Sequence, residues 1–216
     1  MDATSFGATA SSGRRRFLQA VGLAGVAATL PVAAGSAAAQ DATTTTAPPR
    51  RPTDDDVTML GFAESVELAA VAAYDTALGR VTAGTLTLEA SPAQVAQVMR
   101  EHHVAYAQAI AGLLGRKSPG VTNAAVIKKF GEPFASGAAA DVIKAAADLE
   151  GIATATHGSV LGQLTGIDGA SLIASIMAME ARHSSTLTAL GGGDAFPSTA
   201  LEALDSALSP DDYPVQ

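Results

Sequence analysis

From Val57 onward, apolar residues recur every three to four positions in four long runs, separated by polar or glycine-rich breaks. That spacing predicts helices that bury one face. The first run, from Val57 to about Val81, follows Asp54-Asp55-Asp56, whose negative charge suits the positive end of a helix dipole. The second opens at Ser91-Pro92-Ala93, read as an N-cap followed by proline at the first helical position, and continues to Leu114 before Gly115. A third extends from about Ser136 to Leu164, and a fourth from Gly169 to Leu190, where Gly191-Gly192-Gly193 stops it. The connection between the second and third runs is long, about 20 residues, with a short helix expected at Asn123 to Phe130. A last short helix is expected from Ser198 to Leu208, packed on the outside. One long crossover in the middle of four helices predicts an all-α four-helix bundle that is not simply up and down.

The pattern ahead of Val57 is different in kind. Gly13-Arg14-Arg15-Arg16-Phe17-Leu18-Gln19 resembles the twin-arginine export motif, in which paired arginines precede a Phe-Leu pair and a mildly hydrophobic stretch. Phe17 to Ala39 carries no charge, and Ala37-Ala38-Ala39 offers the small residues that a signal peptidase cleaves after. Residues 1–39 are therefore expected to be a signal peptide, cut between Ala39 and Gln40. Retention as a membrane anchor is the competing expectation, because the uncharged stretch is long enough to span a bilayer. Residues 40–53 are Pro/Thr-rich and read as a disordered linker, and residues 54–216 as the bundle. The resemblance implies a protein that folds before crossing the membrane, so that any metal could be loaded in the cytoplasm, and that is destined for the periplasm, the cell envelope or the exterior.

Composition narrows the chemistry. Apolar residues make up 48% of the chain but aromatics only 4%, which favours helix packing over a sheet. The absence of cysteine removes disulfides, thiolate metal sites and cysteine nucleophiles together. Cleavage after residue 39 would remove Arg14, Arg15, Arg16 and Asp2, taking the formal charge from −8 to about −10, a surface that repels nucleic acid and anionic lipid. No nucleic-acid partner is expected. No membrane span is expected in the mature form, unless the signal is kept.

Each helical residue advances about 100°, so side-chain directions can be compared with the apolar stripe. In the first helix Leu60, Ala63, Glu67, Val71, Tyr74 and Leu78 lie within roughly 40° of one line, and in the third Ile143, Ala146, Glu150, Thr154, His157 and Leu161 do the same. In the fourth, Ile176, Glu180, His183 and Leu187 share a stripe. Three helices thus point a carboxylate into the core, where it must be neutralised, paired or bound to a cation. Glu64 falls at the edge of its stripe. In the second helix His102 and His103 flank the apolar centre, while Glu101 points away. All four histidines of the chain face the same interior, and neutral imidazole is a ligand for iron, zinc, manganese or copper.

These residues resemble the ferritin-like superfamily, whose members supply one Glu from each of two helices and a Glu-x-x-His from each of the other two. Glu67 and Glu150 match the single carboxylates, and Glu180-Ala181-Arg182-His183 matches one complete pair. The second helix departs, because Met99 or Arg100 stands where a Glu would precede either histidine. The resemblance implies a transition-metal site built from Glu67, Glu150, Glu180, His183, His103 and His102, with iron as the expected metal and manganese as an alternative. It further implies di-iron oxidation, or peroxide or oxygen chemistry. The competing reading is a metal-free bundle acting as a binding or cell-envelope structural module. In that case Arg100 or hydroxyl groups would neutralise the buried carboxylates. A homo-oligomer fits either reading.

Overall fold

The computed structural model describes residues 47–194 and 205–216. The expected signal peptide lies outside the described residues, as do half of the expected linker and most of the expected last helix. The described residues form six α-helices and no strand: α1 (Asp54–Thr82), α2 (Ala90–Leu114), α3 (Ala124–Phe130), α4 (Glu132–Ser136), α5 (Ala139–Leu161) and α6 (Ile167–Leu190). The fold is an all-helical bundle, as the periodicity predicts.

Pairings across the bundle give its direction. Glu67 meets His103 and Asp75 meets Arg100, so α1 and α2 run antiparallel. His157 meets Glu180 and Ala147 meets Ser184, so α5 and α6 are antiparallel. Tyr74 meets Glu150 and Glu67 meets His157, so α1 and α5 are antiparallel too. Helices α2 and α5 therefore point the same way, and the chain between them must travel the length of the bundle. A 3-10 turn at Gly115–Lys117, α3 and α4 make that journey. Arg80, in the last turn of α1, holds its end by donating to the carbonyls of Phe134 and Gly137 at 3.0 and 2.9 Å.

Several boundaries differ from expectation. α1 begins three residues before Val57, capped by Thr53, whose hydroxyl accepts from the Asp56 N–H while Asp56 accepts from the Thr53 N–H. Helix α2 starts at Ala90 behind Glu89, without a side-chain cap, so Ser91 is not its N-cap. Pro92 sits two residues deeper than expected, at the third helical position, still within the first turn, where the backbone N–H has no helical partner to lose. Ser136 closes α4 instead of opening the third long helix, because Gly137 turns to an extended conformation and α5 begins at Ala139. Of the stretch read as a linker, Pro49 and Arg50 accept backbone hydrogen bonds from Ile167 and Asp168 at the start of α6.

Burial is also broader than one stripe on α1. Leu60 through Glu67 are all buried in succession, because α3 and α4 cover the side that α2 and α5 leave open. Thus α1 is long and apolar enough to cross a membrane, but its surface is mostly covered by the bundle. Two apolar clusters result. One gathers Leu60, Phe62, Val66, Ile110, Val160 and Ile176, together with Leu208 from the C-terminal stretch. The other gathers Ala70, Tyr74, Met99, Phe134, Leu149 and Leu187. A band of polar side chains separates them.

Candidate metal centre

That band holds Glu67 on α1, His103 on α2, Glu150 and His157 on α5, and Glu180 and His183 on α6, each at most 4% exposed. Their spacings along each helix bring them to one level. On α5 the seven residues from Glu150 to His157 are two turns, which puts both on the face towards α1 and α6. On α6 the three residues from Glu180 to His183 do likewise.

The groups alternate. Glu180 Oε2 is 2.8 Å from His157 Nδ1, and His157 Nε2 is 3.2 Å from Glu67 Oε1. Glu67 Oε2 is 2.7 Å from His103 Nδ1, and His103 Nε2 is 3.0 Å from Glu150 Oε1. Glu150 Oε2 is 3.2 Å from His183 Nδ1, whose other nitrogen is 2.9 Å from His102 Nδ1. Tyr74 donates to Glu150 Oε1 at 2.6 Å and stacks its ring on His103, centroids 5.6 Å apart.

Electrostatics follow from three carboxylates interleaved with imidazoles in a dry interior. Burial alone would lower His103, but Glu150 and Glu67 on either side lift it well above the usual histidine range. Burial would raise Glu150, yet His103 and His183 hold it down at about 2. Against the same desolvation, Glu180 and Glu67 lift His157 to about 9. Burial lifts Glu180, and the charge of Glu67 adds to it. Tyr74 is pushed well above its ordinary value by burial and by Glu150.

Hydrogen bonding does not satisfy this cluster. Glu67 Oε1, His157 Nε2 and Glu180 Oε1 are buried and without a hydrogen-bond partner, and the 3.2 Å approach of the first two lacks hydrogen-bond alignment. Such groups in an interior call for another partner. Among the described residues, two sets bring ligand atoms within 4.8 Å of one another: His103, Glu150 and His183, and Glu67, His103 and Glu180. Both sets are buried and both use His103. Carboxylate oxygen with imidazole nitrogen is a donor mixture that iron, manganese, zinc or copper accepts. The residues present fit a transition-metal ion.

Of the six ligands expected from sequence, Glu67, Glu150, Glu180, His103 and His183 come together. His102 does not join them: it is half-buried and hydrogen-bonded to the outer nitrogen of His183, its ring stacked on that of His183 at 5.1 Å. Arg100 turns outward to Asp75 at 2.8 Å, so it neutralises none of the buried carboxylates. Glu101 is exposed and accepts from Gln97. Glu64 is buried instead of lying at an edge, accepting from the Ser118 hydroxyl and the Gly120 N–H of the crossover.

His157 is not among the ligands expected from the sequence, yet it lies between Glu180 and Glu67, 2.8 and 3.2 Å from their carboxylate oxygens. The available signal was its place on the same stripe as Glu150, which repeats the spacing of Glu67 and Tyr74.

Two antiparallel helix pairs joined by a lengthwise crossover, with inward carboxylates and imidazoles at mid-height, define the class of ferritin-like helical bundles with a buried group able to hold metal. Residues 55–192 match the family model of the ferritin-like domain. The chain belongs to that family. No curated protein and no solved structure matches it.

Proposed function

We propose that this is an exported ferritin-like protein that holds a transition metal, iron in the first instance and manganese as the alternative. Glu67, Glu150, Glu180, His103 and His183 are its ligands, and His157 is within reach of the same space. The observation that carries this reading is the set of buried, unsatisfied atoms on Glu67, His157 and Glu180 beside two convergent ligand groups. When bound, such a metal supplies electron exchange with dioxygen or peroxide, or oxidises as ferrous iron itself.

The chain's own residues prepare the site. Glu150 is kept ionised by His103 and His183, so it presents negative charge to a cation. Tyr74 holds one Glu150 oxygen in place. The apolar clusters on both sides exclude water and strengthen every charge interaction between them. His102 stands next to His183 on the side of solvent, where an exchangeable proton can pass outward.

A second reading rests on the alternation itself. Three carboxylates facing three imidazoles can neutralise each other as ion pairs, which would leave a metal-free binding or envelope module. Elemental analysis separates the two. The mature protein, purified from its native export route, is expected to carry near two equivalents of a transition metal, with two ligand groups to hold them. Glu180→Ala/His183→Ala is expected to carry none. Absence of metal from both proteins, even after anaerobic iron loading, would leave only the ion-paired reading.

Export rests on Arg14 and Arg15 ahead of Phe17-Leu18. The variant Arg14→Lys/Arg15→Lys is expected to accumulate uncleaved in the cytoplasm, while the parent chain is recovered beyond the membrane and about 39 residues shorter. Equal export of both proteins would remove the twin-arginine assignment.

A further inference from the structure

We propose that the groove between α2 and α6 binds a small monocarboxylic acid with an apolar body, its carboxylate held by Arg182. The cavity there has a volume of about 340 Å³, within the range of small-molecule sites. Val95, Val98, Met99 and Met179 form its walls, and His102 and His183 form its floor. Val98 is 49% exposed, the most open of the large hydrophobic side chains among the described residues. An apolar side chain held open to water beside two pliable thioethers gains free energy by covering itself with an apolar guest.

Charge selects the guest. Arg182 lines the groove and is exposed, and the one polar contact of its guanidinium among the described residues is Met179 Sδ at 3.4 Å. Arg50 and Arg100, by contrast, are paired with Asp168 and Asp75. A guanidinium free to form two parallel hydrogen bonds favours a carboxylate over a neutral group of the same shape. In a chain of net charge −8, an arginine on an apolar groove with no acidic partner among the described residues is a local preference for anions. The groove ends on His183, a member of one metal-holding group, so its guest would lie against the metal centre's outer edge. The inference deepens the metal reading by naming a class of molecule that reaches the site, and rests on that reading only for what lies beneath His183.

The test is calorimetric titration of the full chain with 1-naphthoate, its location read from ¹³C-methyl spectra. Saturable binding is expected, with shifts confined to Val95, Val98, Met99 and Met179. The affinity should fall about tenfold in Arg182→Gln, the loss of one charge-assisted contact, and binding should vanish in Val98→Trp. The neutral 1-naphthamide should bind wild type and Arg182→Gln equally. Naphthoate that fails to saturate these methyls, or binds with the same affinity to wild type and Arg182→Gln, overturns the proposal. Metal content, measured on the same samples, is expected to be unchanged by both substitutions. Naphthoate binding by a chain that takes up no metal would sink the metal reading and leave the groove; metal without naphthoate binding would do the reverse.

Discussion

Each side chain at the centre is defined by its neighbours more than by its own chemistry. Glu150 shows this most clearly. It lies on the apolar stripe of α5, where an isolated carboxylate would hold its proton, and contacts from His103, His183 and Tyr74 keep it ionised instead. Replacing Tyr74 by Phe removes a 2.6 Å hydrogen bond to Glu150 Oε1 but leaves that oxygen its contact with His103 Nε2. The expected cost is therefore near the worth of one hydrogen bond to a charged group, about 1.5–3 kcal/mol. Urea unfolding of the metal-free variant checks it. A loss above 3 kcal/mol would mean that Tyr74 supports the packing of α1 on α5 and not one hydrogen bond alone.

Helix ends, rather than helix middles, tie the elements to one another. Asp56 begins α1, but its carboxylate also accepts from the N–H groups of Thr165 and Gly166 at 2.8 and 2.9 Å, where α5 gives way to α6. Gly166 is required there, since a Cβ would stand 2.7 Å from the Arg51 carbonyl oxygen and 2.9 Å from Asp56 Oδ2. Burial pushes Asp56 up, yet the backbone donors Thr165, Thr53 and Gly166 outweigh it and hold the carboxyl below its usual value. A lowered folded pKa means that the stabilisation is fully present above the ordinary aspartate value near 4 and is lost as pH falls through the lowered one. Asp56→Ala should thus cost about 2–4 kcal/mol at pH 7, and the gap to wild type should shrink as pH falls below the ordinary aspartate value near 4. Denaturation across a pH series decides it. A gap unchanged between pH 7 and pH 2 would show that the carboxylate charge does not matter.

For the molecule as a whole, the polar band at mid-height is a fault line that a metal can mend. Without metal, three buried carboxylates sit between two apolar clusters with atoms left unsatisfied. A ligand that binds only the folded state stabilises by mass action, about 2.7 kcal/mol at a hundredfold excess over Kd. That corresponds to roughly 5–10 °C in Tm for a domain of this size. Chelation is expected to lower the Tm by that margin, and Glu180→Ala/His183→Ala to show no response to chelator or added metal. An identical Tm for wild type with and without metal would place any bound ion away from the bundle centre.

Local pattern by itself determined the four long helices, the crossover in their midst and the inward direction of Glu67, Glu150, Glu180 and His183, because helical geometry converts spacing into direction without reference to any partner. The family followed from the same residues. Tertiary structure alone decided the rest. Which way Arg100 and His102 turn depends on what α1 and α6 offer them, Asp75 in one case and His183 in the other. His157 joins the centre only because α6 carries Glu180 to its Nδ1. Glu64 is buried only because the crossover returns Ser118 and Gly120 over α1. A helix's own sequence records where a side chain points; whether it meets a ligand, a counter-charge or water is settled by chain segments distant in sequence, which folding alone brings alongside.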